Sequence, residues 1–187
     1  LNTKITGVIR DSNQVRIHWN GIVDRFDQIV IATHADQALA LLDTPSASER
    51  KLLGNFKYSP SQAYLHTDQR LMPRKQRAWA SWNYLDHGPN GLCVTYWMNL
   101  LQNLNTDHDL FVTLNPPFTP KGILQKFDYT HPILNNATAT ARTKLWDLQG
   151  NQCTWFCGAY FGQGFHEDGL QSGLAVAEEI TGKSRPW

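Results

Sequence analysis

The chain has 187 residues, of which 41% are hydrophobic and 18% charged, and its net charge is +1. That length can bury one core or two without staples, and so small a net charge gives no electrostatic case for nucleic acid or an anionic membrane. No run approaches the ~18 apolar residues of a membrane helix, and these residues are expected to hold no signal-peptide pattern. The first residue is Leu1 rather than Met, and the chain moves straight into a strand pattern, which suggests a piece of a longer polypeptide.

Ile5 to Ile9 and Val15 to Trp19 alternate and are β-branched, and Asp11-Ser12-Asn13 between them predicts a hairpin. Phe26 to Thr33 follows, and its Ile-Val-Ile core predicts a strand buried on both faces. Ala35 to Leu42 reads as a short helix that packs Ala38, Leu39, Leu41 and Leu42. Ser46 to Leu53 reads as a second helix, with Ser46 and Glu49 in capping-box spacing.

The middle of the chain changes character. Tyr64 to His66, Ala78 to Leu85, Leu92 to Met98, Leu110 to Leu114 and Leu124 to Tyr129 are short strand patterns. Turn-rich pieces such as His87 to Gly91 and Asn115-Pro116-Pro117 separate them, and the spacing predicts an antiparallel sheet. Thr138 to Leu148 reads as a helix, Thr154 to Cys157 as a short strand and Gly169 to Ile180 as the last helix. The fold class expected is therefore α+β. Residues 1–45 and 136–187 would form one domain, and 46–135 a sheet inserted into it.

Seven tryptophans suggest an aromatic-lined cavity or sheet face. Trp79, Trp82, Tyr84, Tyr96 and Trp97 fall on the central strands, and alternation sends about half of them to each side. Cys93, Cys153 and Cys157 are too few for a disulfide framework, read as buried small hydrophobes, and point to a reducing, cytoplasmic setting. The basic cluster Arg70 to Arg77 reads as a solvated loop, and Asn136-Ala137-Thr138 as a chance sequon. His34, after the buried strand, reads as a turn histidine rather than an acid–base group.

The most informative stretch is WFCGAYFGQGFHEDGLQSGLAVAEEI, Trp155 to Ile180. Gly158, Gly162 and Gly164 let backbone approach a ligand closely. Asp168 and Gln171 have the spacing of an N-cap and its capping-box partner, and Gly182 suits the helix end. Leu170, Leu174 and Ala177 would line one face, while Gly169 and Gly173 would let the helix sit tightly against a neighbour. Such a helix start offers unpaired N–H groups to an acceptor or an anion. Gly162-Gln163-Gly164 is not a dinucleotide fingerprint, because Glu167 stands where the third glycine should be. Adjacent His166, Glu167 and Asp168 diverge on a turn and do not make a metal site.

The segment from Phe156 to Ile180 resembles the C-terminal flavin-contacting segment of the flavin-containing amine oxidase superfamily. In particular it resembles bacterial amine-oxidase-like, NAD/FAD-binding proteins. FDQIVIATHADQALALL, LHTDQRLMPRKQRAWASWNYL, VTYWMNLLQNL, FVTLNP and FDYTHPIL agree in order along nearly the whole chain. The resemblance covers the C-terminal half of such a protein. The half that carries G-x-G-x-x-G for the FAD pyrophosphate has no counterpart in these residues.

The resemblance implies an FAD-dependent oxidoreductase that moves hydride from an apolar or amine substrate to flavin N5. This piece alone would be inactive and would need the N-terminal FAD-binding half of the same polypeptide as its partner. Ile5 matches the position that meets the adenine. Gly158 and Ala159 match the pair approaching the diphosphate–ribityl region. Gly164-Phe165-His166-Glu167 matches a Gly-Tyr-Met-Glu pattern, with Phe165 on the substrate side and the His166 amide toward the flavin C2 carbonyl. Glu167 and Asp168 continue into the helix entry. Gln62 stands where the family usually has a lysine that reaches flavin N5 through water, and joins Trp82, Tyr96 and Phe165 as the expected substrate pocket. Gln62 and Ala159 depart from the usual pattern and keep open a non-catalytic binding or structural module.

Overall fold

The structure, a computed structural model, describes residues 2–86 and 92–185. The expected turn at His87 to Gly91 lies outside the described residues. The chain folds as two compact units, residues 1–58 with 132–187 and residues 59–131. The helix predicted from Ser46 thus groups with the outer unit.

The outer unit opens with β1 (Ile5–Arg10), β2 (Val15–Trp19) and β3 (Ile22–Phe26), an antiparallel meander. Asp11 Oδ1 accepts from the Asn13 and Gln14 amides and closes the first turn, as its sequence predicts. The third strand is not among the predicted elements, although Asn20-Gly21 announces it: both take positive φ, 45° and 77°, as a primed hairpin turn requires. Phe26 consequently ends β3 instead of starting the next strand.

β4 is only Ile29–Ile31 and pairs in parallel with β10 (Thr154–Phe156). The expectation of burial on both faces fails here, because Val30 is 44% exposed. Ile31 alone of the three is buried, so one face of this short strand meets the core and the other does not. On β10, the Gln149 side chain stands in for a neighbouring strand: it accepts from Phe156 N at 2.8 Å and donates to Phe156 O at 2.7 Å.

α1 (Ala35–Leu41) and α2 (Ala47–Leu53) follow, and Ser46 and Glu49 form the predicted capping box. The region predicted as one helix to Leu148 is α4 (Asn136–Arg142) and then a 3-10 turn at Leu145–Leu148. The core gathers Val8 and Val15 from the meander, Ala35 and Ala38 from α1, and Leu53, Leu145 and Phe156.

The inner unit holds a five-stranded sheet in the order β6-β7-β8-β5-β9. Its strands are β5 (Lys57–His66), β6 (Trp82–Asp86), β7 (Leu92–Trp97), β8 (Phe111–Leu114) and β9 (Ile123–Ile133), with the single turn of α3 (Met98–Leu101) after β7. The pairs β6·β7, β7·β8 and β5·β8 are antiparallel. Helices with antiparallel sheets make the α+β class expected.

Register decides the faces. Trp82 stands opposite Tyr96, Tyr96 opposite Val112, and Val112 opposite Leu65, so these share one side. The other side carries Asn83, Thr95, Thr113 and His66, all buried. Trp79 packs edge-on against Trp97 and Phe111 over that side. The predicted split of the aromatics is therefore Trp82, Tyr84 and Tyr96 against Trp79 and Trp97.

A polar ladder runs along the same side of the sheet. Thr95 Oγ1 and Thr113 Oγ1 lie 2.8 Å apart, Thr113 Oγ1 is 2.8 Å from His66 Nε2, and Asp68 N donates to His66 Nδ1 at 3.0 Å. Because Nδ1 accepts, His66 is the neutral Nε2–H tautomer. Asp68 in turn accepts from Arg70 and the Lys121 amide, and Arg70 holds its carboxyl far below the usual range. Arg70 also lies 4.9 Å over the Phe118 ring, so the basic cluster is anchored at its first residue.

Cys93 and Cys157 are buried and Cys153 only partly so, with all three as free thiols. Among the described residues, no three His, Cys, Asp or Glu side chains converge as a metal site, and no helix is long and apolar enough to cross a membrane.

Candidate functional site: the turn from β10 into the last helix

β4 and β10 run parallel, and the chain leaves the carboxyl end of each toward a helix. That end of a parallel sheet is where α/β folds receive ligands. Cys157 N still bonds Ile31 O, and at Gly158 the chain turns with φ 152°. A Cβ there would lie 2.7 Å from the Tyr160 ring, so only glycine fits.

Ala159–Phe161 make a 3-10 turn, and α5 (His166–Thr181) begins behind it. The helix start differs from the sequence reading. Asp168 is not the N-cap; Phe165 is, and Asp168 sits three residues inside. Its Oδ2 reaches back to accept from Phe165 N and Gln163 N, both at 2.9 Å. A phenyl ring cannot cap, so the carboxylate does so from within the first turn, where the helix dipole favours it. Gly162 leaves the room: a Cβ at that position would collide with the Asp168 carboxylate.

The buried face of α5 differs as well. Ser172 and Val176 are buried, whereas Leu170 and Ala177 are exposed and Leu174 is intermediate. A Cβ on Gly169 would lie 3.6 Å from Ala159 N, an ordinary contact, so the loop does not demand glycine there. Gly173 has open space, so neither glycine makes the tight approach expected of both. Glu167 and His166 are exposed in the first turn, and Glu167 accepts from Gln171 Nε2.

Gly158, Ala159, Gly164, Phe165, His166, Glu167 and Asp168 thus lie on one loop and helix entry. Gly164 takes φ 97°, and Phe165 projects with 71% of its surface exposed. Ile5 lies elsewhere, at the start of β1, half-buried against the core. Behind the loop, the Tyr160 hydroxyl is buried without a partner, and burial drives its pKa far up. Burial likewise pushes up the Cys157 thiol. Neither group is poised as an acid or base at neutral pH. His34 caps α1 and stacks on Tyr58 at 4.5 Å, a structural setting.

In the inner unit, Gln62 is held on both sides of its amide. It accepts from the Tyr64 hydroxyl at 3.0 Å and donates to Asp128 at 3.1 Å. Gln62 and Tyr64 line a hollow of about 430 Å³ with Asn115, Pro116, Phe118 and Thr119. Trp82 and Tyr96 are on the opposite side of the sheet, because Leu65 shares their face and Gln62 is three residues from it. The expectation that Gln62, Trp82 and Tyr96 line one pocket is corrected on this point. Tyr64, Asn115 and Phe118, which the sequence pattern does not single out, surround Gln62 instead. The Asn115-Pro116-Pro117 turn is the one signal available for them.

Neither a protein-family profile nor a curated protein sequence matches this chain. Solved structures do match its fold. A CLA-producing fatty acid isomerase from P. acnes superposes with TM-score 0.64 at 13% identity over 96% of this chain and 47% of its own. Putrescine oxidase with bound putrescine gives 0.64 at 9% identity, covering 98% and 49%. Cyclohexylamine oxidase from Brevibacterium oxydans gives 0.60 at 13%, covering 95% and 48%. The chain spans about half the length of these proteins and shares the fold of that half.

Proposed function

We propose that this chain is the flavin-facing C-terminal half of an FAD-dependent oxidoreductase. The observation that carries the reading is the glycine-lined turn at the carboxyl ends of parallel β4 and β10, leading directly into the start of α5. The residues fit an extended anionic cofactor: positive φ at Gly158 and Gly164 leaves backbone uncovered by side chains. The first-turn amides of α5 supply a positive end.

In this reading Gly158, Ala159 and Gly164 lie along the cofactor, Ile5 meets its adenine, and the His166 and Glu167 amides face its acceptor edge. Asp168 fixes the geometry of that entry through Phe165 N and Gln163 N. Phe165 stands on the substrate side, and Gln62 with Tyr64 lines the substrate hollow. Bound FAD would supply the hydride acceptor, while this chain binds, orients and excludes water. Two of the matched structures are oxidases of amines and one is a fatty acid isomerase, which agrees with an apolar or amine small-molecule substrate. The N-terminal half of the same polypeptide would grip the pyrophosphate. Three free thiols suit a cytoplasmic setting.

A second reading, a binding module without redox chemistry, draws on Gln62. Its amide is engaged by Tyr64 and Asp128 and offers no titratable amine.

Flavin titration followed by fluorescence quenching tests both. Residues 1–187 alone should bind FAD weakly, and a polypeptide that also carries the pyrophosphate-binding half should hold it stoichiometrically and be yellow. A colourless, FAD-indifferent long form would overturn the oxidoreductase reading. Anaerobic bleaching of the bound flavin by an amine or lipid would set the second reading aside.

A further inference from the structure

β4 and β10 make a parallel sheet of only two strands, and its two outer edges are finished differently. Cys157 N donates to Ile31 O, so the backbone groups of Ile31 point toward β10. Successive residues of a strand send their N–H and C=O to opposite sides, so Val30 presents both at the other edge of β4. The same ladder sets Ile31 level with Phe156 and turns the Phe156 groups to the outer edge of β10.

Gln149 closes the β10 edge, since its side chain bonds both Phe156 N and Phe156 O. The β4 edge has no such closure. Among the described residues no hydrogen bond reaches the Val30 N–H or C=O, and the residue is 44% exposed. No charge or proline stands between Gln28 and Thr33 to guard that edge. Growth of this sheet is therefore confined to the β4 side.

We infer that Val30 is the seat of a strand from the N-terminal half of the same polypeptide, added to β4 in parallel. The inference rests on the flavoprotein reading, in which that half grips the pyrophosphate. A pyrophosphate is held by the turn that follows a strand and by the helix start beyond it. For that turn to meet the cofactor at Gly158, its strand must end where β4 and β10 end, which makes it parallel to both. A second copy of β4, paired about a two-fold axis, would run antiparallel and carry its own turn to the far end of the sheet.

Site-resolved hydrogen exchange tests this, comparing residues 1–187 with a polypeptide that also carries the N-terminal half. Relative to the Ile31 amide, which faces β10 in both, the Val30 amide should exchange about tenfold or more slowly in the longer polypeptide. Val30→Pro removes that N–H and should lower the urea midpoint of the longer form more than that of residues 1–187. Equal losses would overturn the inference. So would a Val30 amide with the same relative rate in both, and if the longer form nevertheless held FAD, the flavoprotein reading would stand without it. Slowed Val30 exchange in a longer form that ignores FAD would support the docking and overturn the cofactor instead. Close Hα–Hα contacts from Ile29 or Ile31 to the added strand mark antiparallel pairing and would overturn the direction.

Discussion

Ser172 on α5 holds both backbone polar groups of Gly158: its Oγ accepts from Gly158 N at 2.9 Å and lies 3.2 Å from Gly158 O. The same hydroxyl is 2.9 Å from Gly169 O within its own helix, so one buried oxygen fastens the turn to the helix. Ser172→Ala removes the acceptor of the part-buried Gly158 amide. The expected cost is about 1–2 kcal/mol in urea unfolding, with faster hydrogen exchange at Gly158. Unchanged exchange at that amide would show that the turn does not depend on Ser172.

Gly158 itself is replaceable by no other residue without strain. Its φ of 152° opposes a side chain, and so does the Tyr160 ring, which lies 2.7 Å from where an alanine methyl would sit. Gly158→Ala should destabilise by about 1–3 kcal/mol. It should also shift Tyr160 fluorescence, since that ring must move. A variant as stable as the parent would mean that the backbone relaxes freely there.

Much of the local structure is written in short sequence signals, and most of what differs from them depends on long-range register or close packing. The Asp11 turn and the Ser46–Glu49 box involve neighbours within three residues, so spacing suffices to find them. Gln62 and Trp82 separate onto opposite faces only through three consecutive strand pairings, which no local pattern contains. The start of α5 eludes spacing because Asp168 can cap a helix from either side of its first turn, and only the room at Gly162 decides. Burial of Ser172 rather than Leu170 likewise accompanies a non-local contact, since Ser172 Oγ accepts from the Gly158 amide. Strand β3 is a different case, since Asn20-Gly21 is a local signal strong enough to reveal it.

Arg10 and Glu49 form a buried pair with contacts of 2.5 and 2.9 Å, and Glu49 also accepts from Ser46 N to cap α2. Removing one partner strands a buried charge, so Glu49→Ala should cost about 3–5 kcal/mol, and Arg10→Met with Glu49→Leu considerably less. Burial alone would raise the Glu49 pKa, but the bonds from Arg10 and Ser46 outweigh it and lower it below 4.5. The unfolded chain therefore binds the proton more readily. Glu49's contribution is complete above pH 4.5 and disappears as pH falls through the lower folded value. Urea midpoints between about pH 6 and 3, wild type against Glu49→Gln, should show a shallower acid slope in the variant.

His66 gives the opposite end of the chain's pH response. Burial lowers its pKa below 6.5, against a smaller pull upward from Asp68, and its Nδ1 is committed as an acceptor for Asp68 N. Protonation would set two donors against each other and bury a charge beside the Phe111 ring. Because the unfolded histidine takes up its proton first, the stability held by His66 is full above pH 6.5. It drains away as pH falls from there toward the folded value. His66→Gln keeps a donor and an acceptor but cannot titrate. It should therefore lower stability at about pH 7.5 by about 1 kcal/mol or more and flatten the fall between pH 6.5 and about 5. If wild type and variant lost stability in parallel over that interval, the ladder through Thr113 and Thr95 would not be what fixes the histidine in its neutral form.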